Sequence, residues 1–373
     1  MNQKNYYNLI SGQRKNFFAN IFYLILIGAS AIYSLVIRLR NFFYDRRILA
    51  IYHAKATVIS IGNITAGGTG KTPLVAWICN EITADQRQKS KDYRPAILTR
   101  GYKTTQNHVQ SKAEEWKLKT QNYIDEPAVL AENCPNAHVI INPDRVAGAS
   151  KAIREFSANV LVMDDGFQHR RLARDLDIIT IDATCPFGYN RMLPAGLLRE
   201  HLSSLKRAQA IVITRCSQVS EAQLSQIEEN LLNINPNILI TRSIHQPVHI
   251  KTIDNRQISL NEFKNRKVFA FCGIGNPDSF INSLKNMSYN IIGSKIFNDH
   301  YGYTDNCMTE IQKLAQNLDA DIILTTQKDW TKIRLLKSVQ NMPLAYVAIE
   351  IKFLTGEDEL RCLIENTLEG KII

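Results

Sequence analysis

The chain has 373 residues, 45% hydrophobic and 21% charged, a composition typical of globular proteins that excludes a disordered chain. Its seven cysteines stand singly without a CxxC pair, which excludes a disulfide framework and a structural zinc site and predicts a reducing compartment. The formal net charge is +10, and eight basic residues against Asp45 give a net charge of +7 within residues 1–55. The rest of the chain is nearly neutral, so the charge favours an anionic membrane surface, and not nucleic acid, as the partner.

The first predicted element is a long apolar helix. Residues 17–37 contain no charged side chain, and at 1.5 Å per residue they would form about 31 Å of helix, close to the thickness of the bilayer's hydrocarbon core. The run is too long for a signal peptide and ends at Arg38 instead of a small-residue cleavage site. We therefore predict a membrane anchor over residues 1–50. A buried helix of a soluble domain also fits the length, and an anchor of this kind could span the bilayer or only dip into it.

The segment that follows, residues 38–47, alternates arginine with aromatic side chains. Aromatic rings suit the headgroup level of a bilayer and guanidinium groups attract anionic lipids. A plain positive-inside anchor accounts for the same pattern.

Beyond residue 55, short apolar strands alternate with helical segments. Strands are predicted at residues 57–61, 96–99, 139–141, 160–163, 178–181, 210–214, 268–272, 291–296, 321–325 and 344–349, and helices at 73–83, 126–133, 145–156 and 218–234. This alternation predicts an α/β fold with a parallel sheet covered on both faces. We expect a first lobe over residues 51–245 and a smaller α/β C-terminal lobe over 246–373, with a weakly marked join near 240–260.

A glycine-rich loop, GNITAGGTGKTP, follows the first predicted strand. It matches the phosphate-binding pattern G-x-x-x-x-G-K-[ST] except that Thr65 replaces the first glycine, and it makes the first lobe P-loop NTPase-like. Lys71 is predicted to contact the β- and γ-phosphates of ATP, and the Thr72 hydroxyl to bind Mg²⁺. The predicted nucleotide-binding residues are Thr65, Ala66, Gly67, Gly68, Thr69, Gly70, Lys71 and Thr72.

A pair of carboxylates ends the apolar run VLVMDDG. Asp164 and Asp165 lie at the carboxyl end of a predicted strand, where ligands collect in open α/β sheets. Adjacent carboxylates can hold Mg²⁺ directly and through its water molecules, so we predict both as metal ligands. A strand-terminal turn with solvated aspartates is the alternative.

Continuing from Asp164, the chain reads DDGFQHRRL, and here it resembles the tetraacyldisaccharide 4'-kinases, the lipid A kinases of Gram-negative bacteria. The resemblance covers most of the chain and includes the apolar helix, the glycine-rich loop, TRGY at 99–102, DEPAVLA from Asp125, LPAGLLRE at 193–200, FCGIGNP from Phe271, FNDHYGY from Phe297 and TTQKDWTK from Thr325. It implies ATP-dependent phosphorylation of the 4'-hydroxyl of a lipid disaccharide 1-phosphate at the cytoplasmic face of the inner membrane. No obligate protein partner is evident, and Thr65 looks like the family's own version of the loop.

The resemblance also implies residue roles. Asp125 matches the family's catalytic aspartate and is expected to act as the base, with His300 as its partner. Because the two are far apart in sequence, the pairing is expected to require closure of the second lobe onto the first. By themselves, Asp125 is typical of a helix N-terminus and His300 of a structural histidine.

Arg199 and Glu200 resemble family residues near the phosphates. Arg199 is expected to stabilise charge in the transition state and Glu200 to join the metal ligands, while a simple salt-bridge pair is the alternative. Arg100 and Gln168 are expected to line the same cleft.

The sequence disfavours two other function classes. A membrane-recruited ATPase switch of the partitioning or targeting type has a similar loop, but such loops typically carry lysine where this chain has Ala66. A GTPase is disfavoured because Lys328 and Asp329 are adjacent, whereas guanine recognition uses a Lys-x-Asp spacing.

Overall fold

The structure, a computed structural model, describes residues 3–13, 16–89, 92–101, 109–110, 125–340 and 342–371. The helices are Gln3–Ile10 (α1), Phe17–Asp45 (α2), Lys71–Lys89 (α3), Asp125–Asn133 (α4), Arg145–Phe156 (α5), Glu221–Ile234 (α6), Pro277–Asn286 (α7), Asp305–Asn317 (α8), Gln327–Ile333 (α9) and Glu357–Leu368 (α10). The strands are Thr57–Gly62 (β1), Pro95–Thr99 (β2), Val109–Gln110 (β3), His138–Ile141 (β4), Val160–Asp164 (β5), Leu176–Asp182 (β6), Ala210–Thr214 (β7), Leu239–Thr252 (β8), Gln257–Ile258 (β9), Lys267–Cys272 (β10), Asn290–Ile296 (β11), Ile322–Thr326 (β12) and Leu344–Thr355 (β13). The predicted α/β alternation is confirmed, and each predicted strand has a counterpart.

The chain forms two compact units. The first contains Met1–Arg100, Asn136–Ile244 and Lys352–Ile373, and the second contains Gly101–Pro135 and His245–Ile351. The chain passes from the first unit to the second between Ile244 and His245, within the expected range 240–260, and this passage lies inside strand β8. The second unit also takes in residues 101–135, which the sequence division assigned to the first lobe. The division at 1–50, 51–245 and 246–373 stays a prediction for independently folding domains.

The first unit is built on a parallel sheet in the order β8–β7–β6–β1–β5–β2–β4. Each neighbouring pair is parallel. Strands β5, β6 and β7 are buried along their whole length, as expected for a sheet covered on both faces. Because β1 pairs with β5 in a register that sets Ile61 opposite Asp164, the ends of these two strands lie side by side.

Within the second unit, parallel strands pair in the order β11–β10–β12–β13. An aromatic cluster covers one side of these strands, where the ring of Tyr303 contacts Phe271 at 5.7 Å between centroids and both rings are fully buried. Buried Asp329 accepts hydrogen bonds from the Tyr303 hydroxyl (3.1 Å) and the Gly273 amide (3.0 Å). These two hydrogen bonds fix the turn after β10.

Helix α2 is longer than the predicted apolar run, because it continues to Asp45. The side chain of Asn16 caps its first turn by accepting a hydrogen bond from the Ala19 amide at 2.8 Å. Among the described residues, α2 is the one helix long and apolar enough to cross a membrane, and an 18-residue stretch of it has a mean hydropathy of 2.0.

Candidate functional site

The glycine-rich loop joins β1 to α3, which is the strand–loop–helix context that phosphate binding requires. Gly67 and Gly70 have φ values of 116° and 84°, in the left-handed region that favours glycine. A Cβ added at Gly67 would meet no atom within 4 Å, so the conformation, and not crowding, demands glycine there. Gly67 and Gly68 are the exposed residues within the loop.

Side chains at the ends of neighbouring strands brace the loop from the sheet side. Thr214 Oγ1 donates to the Thr69 carbonyl at 3.0 Å, and Arg215 Nη2 donates to the Gly68 carbonyl at 2.8 Å. Arg215 is itself buried and paired with Asp182. The protein therefore fixes the shape of the loop. Sequence analysis missed this support, and its signal was the polar Thr–Arg pair at the carboxyl end of β7.

Two predicted residues from separate segments of the chain, Lys71 and Arg199, both contact predicted Asp165. Lys71 Nζ lies 3.3 Å from Asp165 Oδ1, and Arg199 Nη1 lies 2.9 Å from both carboxylate oxygens. Burial disfavours ionisation of Asp165, but Lys71 and Arg199 outweigh it and hold the pKa of this carboxyl well below its usual value. The site thus keeps an anion between two cations, close to the start of α3.

The neighbouring Asp164 is almost fully buried at the end of β5. Thr99 Oγ1 donates to its Oδ2 at 3.3 Å, and Arg145 Nη2 donates to its backbone carbonyl at 3.1 Å. Burial, opposed by Asp164 and Asp165, lowers the pKa of the Arg145 guanidinium to about 10. Sequence analysis missed Arg145 because the first residue of a helix ordinarily faces solvent. Arg100, which was predicted to line the cleft, directly follows β2 and is exposed.

The LPAGLLRE segment is placed by backbone pairing with the glycine-rich loop. The Ala66 amide donates to the Leu197 carbonyl, and the Arg199 amide donates to the Ile64 carbonyl, both at 2.7 Å. This pairing sets the Arg199 side chain beside Asp165. Predicted Gln168 also reaches the loop, since its Nε2 donates to the Asn63 carbonyl at 2.8 Å.

Glu200 has a different environment from its neighbour. It is fully buried, its Oε2 accepts from Asn41 Nδ2 at 2.8 Å and from Arg207 at 3.0 Å, and its Oε1 lies 3.4 Å from Arg40. The role of Glu200 as a magnesium ligand stays a prediction. The contacts favour the salt-bridge alternative, although the partners are Arg40 and Arg207 and not Arg199.

The residues present fit a magnesium–nucleotide complex. Thr72, Asp164 and Asp165 offer one hydroxyl and two carboxylates, the hard oxygen donors that Mg²⁺ prefers, and Lys71 offers a cation for phosphate. In the described part of the chain no three His, Cys, Asp or Glu side chains cluster as a metal site. An ion held here would therefore take its other ligands from water and phosphate oxygens, as Mg²⁺ at phosphate sites usually does.

The second unit contains a separate polar cluster around Lys328 in α9. Its Nζ lies 3.2 Å from Glu126 Oε1, 3.5 Å from His300 Nε2 and 3.6 Å from Asp299 Oδ1. Helix α4 begins at Asp125, whose side chain lies outside the described part of the structure. Because Glu126 and His300 meet Lys328 within one unit, the expected lobe closure is not needed to bring the DEP motif to His300. The contacts of Lys328 with Glu126 and His300 were not predicted from the sequence, where Lys328 served as evidence against a GTPase.

The other end of α4 is held by a second polar network. Glu132 accepts a hydrogen bond from the Tyr346 hydroxyl at 2.8 Å and pairs with Lys251 at 2.5 Å. Asn133 and Gln327 exchange side-chain hydrogen bonds of 2.9 and 3.2 Å. Side-chain contacts within the second unit therefore hold both ends of α4. They also hold the backbone position at which α4 begins.

Comparison with known proteins gives consistent findings. A family model described as tetraacyldisaccharide-1-P 4'-kinase matches residues 22–369. The chain is similar to the tetraacyldisaccharide 4'-kinases of Halothermothrix orenii (35% identical, covering 96% of each chain) and Syntrophus aciditrophicus (35% identical, covering 94% of each). A solved structure of LpxK from Aquifex aeolicus in complex with ATP superimposes with a TM-score of 0.71 at 28% identity, covering 93% of this chain and 99% of that one.

Proposed function

This chain belongs to the tetraacyldisaccharide-1-P 4'-kinase family, and from that premise we propose that it transfers the γ-phosphoryl group of ATP to the 4'-hydroxyl of a lipid A disaccharide 1-phosphate. The observation that carries this assignment is the meeting of Lys71, Asp165 and Arg199 beside a loop with the conformation of a phosphate cradle. Phosphoryl transfer depends mainly on positioning and on neutralising charge, and this arrangement supplies both.

We assign the phosphate-binding role to the loop from Thr65 to Thr72. Its backbone amides would hold the phosphate oxygens, and Lys71 would contact the β- and γ-phosphates. Arg199, held in place by Asp165, would stabilise charge on the transferred group. Asp165 would therefore orient both Lys71 and Arg199 toward the phosphates.

Magnesium is the metal that this donor set fits. Thr72, Asp164 and Asp165 would hold it, and when bound it would neutralise charge on the phosphates. The lowered pKa of Asp165 supports this role, because the carboxylate is ionised at neutral pH, the form that binds a cation.

The base is assigned to Asp125 on the strength of the family motif. Its carboxylate would take the proton of the 4'-hydroxyl as the phosphoryl group is transferred. We propose that His300 orients the Asp125 carboxylate. The Nε2 atom of His300 lies 3.5 Å from Lys328 Nζ.

We further propose that the enzyme works at the cytoplasmic face of the inner membrane. The support is the apolar helix α2, the basic residues that flank it and the amphiphilic substrate class of the family. An ATP-using enzyme needs its nucleotide site in the cytoplasm, and an acylated substrate stays in the bilayer.

The test is a kinase assay on the detergent-solubilised chain with Mg-ATP and a lipid disaccharide 1-phosphate. We expect a bis-phosphorylated lipid, and we expect Lys71→Ala to reduce its formation by at least about 100-fold, as loss of a charge-stabilising contact does. Nucleotide-dependent dimerisation without a phosphorylated lipid would refute the kinase and favour the membrane-recruited switch.

A further inference from the structure

Two side chains at the carboxyl end of β7 hold two consecutive peptides of the glycine-rich loop. Arg215 Nη2 donates to the Gly68 carbonyl at 2.8 Å, and Thr214 Oγ1 donates to the Thr69 carbonyl at 3.0 Å. Both side chains are buried. The carbonyls of these two peptides therefore point toward the end of the sheet.

The direction of a carbonyl fixes the direction of the amide in the same peptide. The Gly68–Thr69 and Thr69–Gly70 peptides are trans, so in each plane the C=O and N–H bonds point in opposite directions. Because the carbonyls point toward β7, the amides of Thr69 and Gly70 point away from it. These amides directly precede Lys71, and loops of this pattern use such amides to hold phosphate oxygens.

The glycines make this outside support necessary. Gly67 and Gly70 adopt left-handed backbone conformations, and a glycine has more conformations available than any other residue. A Cβ added at Gly68 would meet no atom within 4 Å, so packing does not confine the backbone there. A Gly68–Thr69 peptide without a partner for its carbonyl could rotate, and its amide would then turn away from a phosphate.

Arg215 is itself held in place. Its Nη1 pairs with Asp182 at the end of β6, and the other carboxylate oxygen of Asp182 accepts from the Thr184 amide at 3.0 Å and the Thr184 hydroxyl at 2.7 Å. One planar guanidinium thus links a strand end to the loop. Arg215 also has a φ of 57°, a left-handed conformation that is uncommon for a residue with a side chain and that often marks a functional position.

We infer that Arg215, with Thr214 beside it, is a positioning residue for the nucleotide. The two side chains turn the peptides of the loop so that the Thr69 and Gly70 amides face the phosphates, and they thereby set the affinity for nucleotide. Arg215 acts through the Gly68 carbonyl. The inference rests on the phosphate-binding role proposed above for the loop.

Nucleotide affinity tests this role directly. The full-length chain in detergent is titrated calorimetrically with Mg-ADP, which carries the β-phosphate and is not consumed. Arg215→Met removes both hydrogen bonds of the guanidinium, and we expect the Kd to rise at least about tenfold, as for loss of a hydrogen bond from a charged donor. Arg215→Lys keeps a cation beside Asp182 but cannot bridge two partners, so the Kd should again rise about tenfold.

The chain offers a matched control at the other end of β6. Arg174 pairs with Asp177 at 2.9 Å, and these side chains keep 9% and 8% exposure, against 9% and 12% for Arg215 and Asp182. Arg174→Met therefore removes an equally buried ion pair that has no contact with the loop. It should lower the Tm and leave the Kd for Mg-ADP within about twofold of wild type.

Thr214→Val gives a second, milder measurement. It removes the hydroxyl that holds the Thr69 carbonyl and keeps the branched shape of the side chain, so the Kd should rise about fivefold, the effect of one neutral hydrogen bond. This variant decides the question if neither Arg215 variant folds, because it tests the same amides through the neighbouring peptide.

Three outcomes would contradict the inference. A Kd within about twofold of wild type in the folded Arg215 and Thr214 variants would overturn it alone. An equal rise for Arg174→Met would also overturn it, because loss of a buried ion pair would then weaken binding wherever it occurs. A wild-type chain that does not bind Mg-ADP would overturn the proposed nucleotide site and the inference together.

Discussion

Replacing Glu200 by glutamine distinguishes a metal ligand from an internal counterion. Glutamine keeps the size of the side chain and can still hydrogen-bond to Asn41, but it removes the negative charge that Arg40 and Arg207 share. If Glu200 is a counterion, the folded protein loses stability whether or not magnesium is present. If it is a metal ligand, the main effect is a weaker response to magnesium.

The expected loss of stability follows from burial. Glu200 is fully buried, whereas the side chains of Arg207 and Arg40 keep 21% and 33% exposure. Breaking a fully buried ion pair costs about 3–5 kcal/mol, and the solvent that reaches both arginines reduces this to about 3 kcal/mol. For a chain of this size that corresponds to a fall in Tm of about 4 °C.

The assay combines thermal unfolding without magnesium and a magnesium titration of kinase activity below the Tm. For Glu200→Gln we expect the lower Tm and a half-saturating magnesium concentration within about twofold of wild type. Asp164→Asn is the positive control for a ligand and should raise that concentration at least about tenfold. Glu359→Gln, at an exposed position of α10, should change neither quantity. An unchanged Tm with a raised magnesium requirement for Glu200→Gln would refute the counterion assignment.

Three further outcomes are expected. Asp125→Asn should lower kcat by about 100-fold or more and leave the KM for ATP within about threefold, and an equal loss in both would contradict its role as the base. Leu24→Asp should reduce vesicle binding by at least about tenfold in flotation assays, whereas Leu232→Asp, at an exposed leucine of α6, should not; equal binding by the two variants would contradict membrane contact at α2. Burial raises the pKa of Glu132, but Lys251, Tyr346 and Gln327 lower it by more, so its folded-state pKa is below the unfolded value. Its stabilisation is therefore present above about pH 4.3 and lost as pH falls through the folded pKa. Glu132→Gln should destabilise the chain by about 2 kcal/mol in urea titrations, equally at pH 8 and pH 5.5, and a loss that grows with pH over this range would refute the assignment.

The sequence predicted the parts of the site that are local in the chain. Strand β1, the glycine-rich loop and the start of α3 are contiguous, so residue pattern alone indicated how Lys71 and Thr72 are presented. The carboxylate pair at the carboxyl end of β5 could be predicted equally well, because an apolar run in the sequence ends there in two aspartates. The pairing of β1 with β5 places the start of the glycine-rich loop beside these aspartates.

Contacts between segments that are distant in sequence could not be predicted from the residue pattern. The support of the loop by Arg215 and the pairing of Ile64–Ala66 with Leu197–Arg199 depend on tertiary structure, for which a single sequence carries no periodic signal. Helix α2 shows the same limit. Counting apolar residues located the end of the uncharged run before Arg38, but the helix continues to Asp45, and in this extension Arg40 and Asn41 donate hydrogen bonds to Glu200.

The segment 192–201 connects the two chemical requirements of a lipid kinase. Its backbone pairs with the glycine-rich loop and sets Arg199 beside Asp165, while Arg199 also accepts a hydrogen bond at its carbonyl from Tyr33 of α2. The apolar helix and the phosphate site are thus attached to the same short stretch of chain. An enzyme whose acceptor hydroxyl belongs to a membrane-embedded molecule must hold the nucleotide at a fixed distance from the bilayer surface, and a rigid contact of this kind achieves it. It follows that loosening the contact at Tyr33 would disturb transfer to a lipid in a bilayer more than ATP binding itself.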